Sequence, residues 1–159
     1  MRIKTGLVAV ATLSATVLTL MPGAYASSRH DVIRSDLFPS QTTFPAINGV
    51  LPGTLPWVID RGEVRVRDNG RMDVRIEGLQ IPAVDGTASN PVDSINAVLY
   101  CDGMPAADSG PQALSVPGGD ARFRVRNLMV PENCGDPTVL ISPTAAVGVR
   151  YIAFTPVHM

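Results

Sequence analysis

Two histidines and two cysteines are all that this 159-residue chain offers for acid–base, nucleophilic or thiolate chemistry. His30 and His158 lie where chain ends fray, so a Ser-His-Asp or Cys-His site would have to be assembled from tails. Cys101 and Cys134 have no Cys-x-x-Cys spacing and no neighbouring histidine to hold a thiolate. Zinc needs three or four His, Cys or carboxylate ligands, a set that is not left over if the cysteines bond to each other. Loop carboxylates are more numerous: Asp85, Asp93, Asp102, Asp108, Asp120 and Asp136. None falls in an Asp-x-Asp-x-Asp calcium spacing, and where Gly or Pro follows, as after Asp85, Asp102 and Asp136, turn chemistry accounts for the residue. A glycosidase would pair two carboxylates with aromatic platforms, but Trp57 is the only tryptophan and suits a core anchor. The sequence therefore predicts no catalytic residue, no metal site and no cofactor, and a protein that is not an enzyme.

Arginine is the remaining chemistry. Lys4 is the only lysine, so all 11 positive charges after residue 26 are arginines. A GC-rich coding sequence produces the same bias, so placement must carry the argument. Arg122, Arg124 and Arg126 alternate on one face of an expected strand. If that strand lies beside the hairpin bearing Arg65, Arg67 and Arg75, the six form a candidate binding face of planar forks suited to carboxylate or phosphate. The competing reading is a solvated sheet face neutralised by Glu63, Asp73 and Glu77. Fourteen acidic side chains against those 11 arginines leave a balance of −3, which argues against nucleic acid as partner.

The elements that must position these residues begin after a leader. Arg2 and Lys4 precede an apolar run over 6–20, Met21-Pro22-Gly23 breaks it, and Ala24-Tyr25-Ala26 is an A-x-A cleavage site. The run is about 15 residues, short of the roughly 20 that span a bilayer, and nothing later is apolar enough to span. Residues 1–26 are thus expected to be a signal peptide and the remaining 133 residues an exported single domain, extracellular and in reach of the cell wall. In an oxidising compartment Cys101 and Cys134 are expected to pair, closing a 34-residue loop worth about 3.5 to 4 kcal/mol.

Residues 27–54, rich in Ser, Thr, Pro and Gly, show no sustained period and are expected to form an irregular arm, with a short marginal helix available over 28–38. Residues 55–159 read as an antiparallel, immunoglobulin-like β-sandwich of about seven or eight strands with turn signals between them. Trp57-Val58-Ile59 is expected to open the first strand. Val64 and Val66 alternate with charges, as do Met72, Val74 and Ile76. Apolar stays opposite apolar only if paired residue numbers sum to an even value, and a sum of 138 leaves a three-residue loop, Asp68-Asn69-Gly70, with Gly70 left-handed. That register opposes Arg65 to Asp73, Glu63 to Arg75 and Arg61 to Glu77. Further strands are expected over 95–101, 112–116, 122–126, 139–141 and 147–155.

The succession Pro56-Trp57-Val58, the Asp-Asn-Gly hairpin, Glu77-Gly78-Leu79, Gly86-Thr87, Asn90-Pro91-Val92, Val98-Leu99-Tyr100-Cys101, Gly119-Asp120-Ala121-Arg122 and a second cysteine resembles a group of small exported actinomycete proteins of uncharacterised activity. The resemblance spans most of residues 55–154. It implies secretion, a β-sandwich and one disulfide, and supplies no catalytic residue or ligand.

Taken together, these readings predict a secreted, non-enzymatic binding or structural module of the cell envelope or extracellular medium. Its expected partner is an anionic cell-wall polymer or an extracellular protein. The alternative is a secreted effector or protease inhibitor presenting the loop 102–111, braced by Cys101.

Overall fold

A computed structural model describes residues 30–156. The expected signal peptide, the start of the arm and His158 lie outside the described residues. In chain order the strands are β1 (Asp31–Asp36), β2 (Phe38–Pro39), β3 (Leu51–Pro52), β4 (Arg61–Arg67), β5 (Arg71–Glu77), β6 (Ile81–Pro82), β7 (Ala88–Ser89) and β8 (Ser94–Cys101). They continue with β9 (Met104–Asp108), β10 (Gln112–Ala113), β11 (Ala121–Val125), β12 (Thr138–Pro143), β13 (Arg150–Tyr151) and β14 (Ala153–Phe154), with one 3₁₀ turn over Thr144–Ala146. Seven of the fourteen are five residues or longer. These long strands make the two antiparallel layers of an all-β sandwich, the layered architecture that immunoglobulin-like domains share.

One sheet runs β1-β4-β5-β11, and the other β10-β8-β12-β14-β2 with β9 also on β8. The β4–β5 hairpin has the predicted register: Val64 opposes Val74, Val66 opposes Met72, and Arg65 opposes Asp73. Gly70 closes the turn at φ +76°, its N–H donating to the Arg67 carbonyl at 3.1 Å. A side chain there would meet the Leu128 carbonyl oxygen at 2.3 Å, so the turn needs glycine for conformation and for space. The inward residues Val64, Val66, Met72, Val74 and Ile76 pack with Ile95, Ala97, Leu99, Val139, Ile141 and the buried Trp57 in the core between the sheets. The outward positions alternate with them and are charged.

β8 and β12 lie at the middle of their sheet, and their side chains are buried on both faces. Their outward residues Val98, Tyr100 and Leu140 join a second cluster with Ile47, Val50 and Tyr151. Ile47 and Val50 of this cover come from the segment expected to be irregular, tied by a hydrogen bond of 3.0 Å from the hydroxyl of Tyr151, which completes the cover from near the C-terminal end, to the Pro45 carbonyl.

The arm therefore requires correction. Residues 31–36 are a strand, not loop or helix, and pair with β4 along the edge of the charged sheet. β2 pairs with β14 on the other sheet. The physical reason lies at Gly62, where a Cβ would sit 2.6 Å from both Leu37 and Ile59: its bare backbone admits Leu37, which anchors the arm between the layers. Trp57-Val58-Ile59 does not open a strand; only Val58 bridges, to Gln80. The stretch expected as one strand over 147–155 is split into β13, paired with β3, and β14, paired with β12. The chain after Asp102-Gly103 returns along β8 as β9 instead of forming an open loop. The disulfide between Cys101 and Cys134 is formed, with Cα atoms 4.8 Å apart, and joins the end of β8 to the segment leading into β12.

Candidate functional site

The outer face of β1-β4-β5-β11 is a grid of charges set by antiparallel pairing. One row across it reads Arg34, Arg65, Asp73, Arg124; the next, two residues along, reads Asp36, Glu63, Arg75, Arg122. Arg67 and Arg71 oppose each other at the hairpin end, and Arg61 opposes Glu77 at the other. Every outward residue of β4 and β5 is charged, as strict period-two alternation with one buried face requires.

Three of the directly opposed pairs join arginine to arginine: Arg34 with Arg65, Arg67 with Arg71, and Arg75 with Arg122. Like charges in that position repel, and in each pair at least one arginine also meets a carboxylate: Arg65 meets Asp31, Arg67 and Arg71 meet Asp73, and Arg75 meets Glu77. The grid lines an open trough of about 900 Å³, whose charged lining is seven arginines (Arg34, Arg65, Arg67, Arg71, Arg75, Arg122, Arg124) against Asp36, Glu63 and Asp73. The whole chain, by contrast, carries a formal charge of −1.

Asp73 is the centre of the trough. Its Oδ2 accepts from Arg71 Nε at 2.9 Å and lies 3.5 Å from Arg67 Nη1, while its Oδ1 accepts from Arg124 Nε and, at 3.2 Å, from Arg71 Nη2. Three guanidiniums from three strands thus converge on one carboxylate. Partial burial pushes the Asp73 carboxyl up, but the hydrogen bonds from Arg124 and Arg71 outweigh it and hold the group below the usual aspartate range. At the β1 edge Asp31 accepts from Arg65 Nε at 2.6 Å, and that bond, with the charges of Arg65, Arg67 and Arg34, holds its carboxyl low as well. Arg75 binds Glu77, with Nε at 2.9 Å. Arg34 and Arg122 have no carboxylate within 4.0 Å among the described residues.

Of the six arginines singled out from sequence, Arg65, Arg67, Arg75, Arg122 and Arg124 line this trough; Arg126 lies just past β11 and does not. Sequence reasoning missed Arg34, because its segment was expected to be irregular, and Arg71, although it opens the same strand as Asp73. The ion pairs also differ from the cross-strand neighbours. Arg65 bonds Asp31 of the added edge strand and Arg75 bonds Glu77 of its own strand, because long arginine stems reach past the directly opposite residue.

Elsewhere, loop carboxylates bond backbone. Asp85 accepts from Thr87 N, Asp108 from Gly110 N and Asp120 from Gly78 N. Among the described residues no three His, Cys, Asp or Glu side chains gather as a metal site, and no helix is long and apolar enough to cross a membrane. The segment 102–111 is a two-residue turn, Asp102-Gly103, both at positive φ, followed by β9 hydrogen-bonded to β8.

Compared with protein-family models, curated proteins and solved structures, the chain matches none.

Proposed function

We propose that the protein is a non-enzymatic binding module of the cell envelope or extracellular medium, and that the outer face of β1-β4-β5-β11 holds an anionic cell-wall polymer. The observation that carries this reading is the set of three directly opposed arginine pairs, Arg34/Arg65, Arg67/Arg71 and Arg75/Arg122. A face that tolerates such repulsion gains from an added anion between the forks, because a guanidinium pair bonds an oxyanion bidentately from each side. The openness of the trough suits a polymer better than a small ligand, which needs enclosure on most of its surface. Export is supported by the leader pattern over 1–26 and is compatible with the Cys101–Cys134 disulfide.

Co-sedimentation of the disulfide-bonded protein with cell walls tests the reading. Retention at low salt, release as ionic strength rises, and loss of retention in an Arg122→Ala/Arg124→Ala variant are expected, since exposed charges are screened beyond about 10 Å at 0.1 M salt. Protein that stays in the supernatant at low salt overturns it.

A further inference from the structure

Four of the seven arginines of the trough, Arg71, Arg75, Arg122 and Arg124, line the seam between β5 and β11. Moving along that seam from the hairpin end, the outward residues are Arg71, then Asp73 beside Arg124, then Arg75 beside Arg122. Successive rows are two residues apart, about 6.6 Å, and the two strands lie about 4.8 Å apart. The seam is therefore a ladder of arginine-bearing rows about 6.6 Å apart, interrupted in the middle by Asp73 and closed at the far end by Glu77, which bonds Arg75. The Asp73 carboxylate takes hydrogen bonds from Arg71 and Arg124, with Arg67 Nη1 3.5 Å away.

A row of cations with one internal anion in its centre has the form of a site occupied by its own competitor. We propose that the seam binds a linear phosphodiester polymer of polyols, with one phosphate between Arg75 and Arg122 and the next in the place now held by the Asp73 carboxylate. Asp73 thereby sets the affinity from within. The inference rests on the polymer-binding reading above and names its ligand class. Three lines favour it. First, Arg122 has no carboxylate within 4.0 Å, so the first phosphate meets an unsatisfied fork. Second, rows about 6.6 Å apart, with guanidiniums on long stems that adjust along the strand, accommodate charges separated by a short uncharged spacer. Third, three guanidiniums on one carboxylate leave local positive charge that a phosphate with its tetrahedral array of oxygens meets from more directions than a planar carboxylate does.

The test measures binding of poly(glycerol phosphate) to the disulfide-bonded protein at low salt. Asp73→Asn removes the competing charge with little change in shape, and Asp73→Ser repeats the test with a smaller side chain. Glu63→Gln removes one equal charge from the same trough, but from a residue with no guanidinium within 4.0 Å. Both Asp73 variants are expected to tighten binding about tenfold and Glu63→Gln about threefold or less, since only the former also frees three forks. Equal effects of Asp73→Asn and Glu63→Gln, or weaker binding by Asp73→Asn, overturn the role of Asp73. Poly-α-glutamate bound as tightly as the phosphate polymer overturns the ligand class. If wild type and both Asp73 variants all fail to bind either polymer, the polymer-binding reading itself falls.

Discussion

On the four-stranded sheet every outward residue of β4 and β5 is charged and the face lies open, whereas on the other sheet the outward Val98, Tyr100 and Leu140 are apolar and roofed by Ile47, Val50 and Tyr151. Both sheets share one core between them, so the difference lies wholly in what each turns away from it. The charged face keeps its side chains long and hydrated, and its ion pairs are partly exposed; each contributes on the order of 0 to 1 kcal/mol. The roofed face removes apolar area from water at roughly 25 cal/mol per Å². One face is thus free to serve a ligand at little cost in stability, while the other cannot change without loosening the fold.

The sharpest way to break this contrast is to carve the roofed face. Leu140 is fully buried on β12, in contact with the cover and away from the trough. Leu140→Ala is expected to lower the unfolding free energy by about 2 to 5 kcal/mol, read as a fall in the urea midpoint, with polymer binding at the trough unchanged in the folded fraction. A matched Arg65→Ala change on the open face is expected to cost under about 1 kcal/mol while weakening polymer binding. Equal destabilisation by the two would remove the distinction between the faces.

The turn that sets the register of the open face comes next in size. Gly70→Ala places a Cβ against the Leu128 carbonyl and forces a non-glycine residue to φ +76°. A loss of about 1 to 3 kcal/mol is expected, measured by thermal or urea unfolding, because conformational strain and a backbone clash add. A neutral result would mean that the turn can be rebuilt without glycine, and with it the opposition of Arg65 to Asp73.

How much of this was legible differs between the faces for the same physical reason. Alternation over residues 63–77 encodes both the pairing and the exposed side, so the β4–β5 register and the neighbourhood of Arg65, Arg67 and Arg75 could be read directly. The placement of β11 on β5, which brings Arg122 and Arg124 to the same trough, is not encoded in alternation, because strand order is a long-range property. Residues 95–101 read as a central strand because they are apolar without alternation, but a run buried on both faces does not say what covers its outer side. The cover, and the edge strand carrying Asp31 and Arg34, come from residues whose Pro, Ser and Thr content hides two- to six-residue pairings that only tertiary contact stabilises. β9 was lost for a related reason. Met104-Pro105-Ala106-Ala107-Asp108 has poor strand propensity, and it is held by the length of β8 beside it.

The smallest expected effect concerns acid, and its sign separates the two faces again. Asp31 and Asp73 have carboxyls held below their ordinary values by arginine, so each contributes stability that is present above about pH 4, the unfolded aspartate pKa, and is lost as pH falls through its lower folded value. Both lie on the open face, whereas on the outer side of the other sheet Asp108, opposite Val98, bonds Asn96 and the Gly110 N–H and, among the described residues, no arginine. Acidification from pH 5 to pH 2 should therefore lower the urea midpoint of wild type modestly, and by less in an Asp31→Asn/Asp73→Asn variant, which has no such charges to lose. Binding should move the other way. Protonating Asp73 releases the forks of Arg67, Arg71 and Arg124 while phosphodiesters keep their charge, so polymer affinity at constant ionic strength should rise over the range in which stability falls. A parallel decline of affinity and stability would show instead that Asp73 holds those arginines in place for the ligand, and would turn the competitor into a positioning residue.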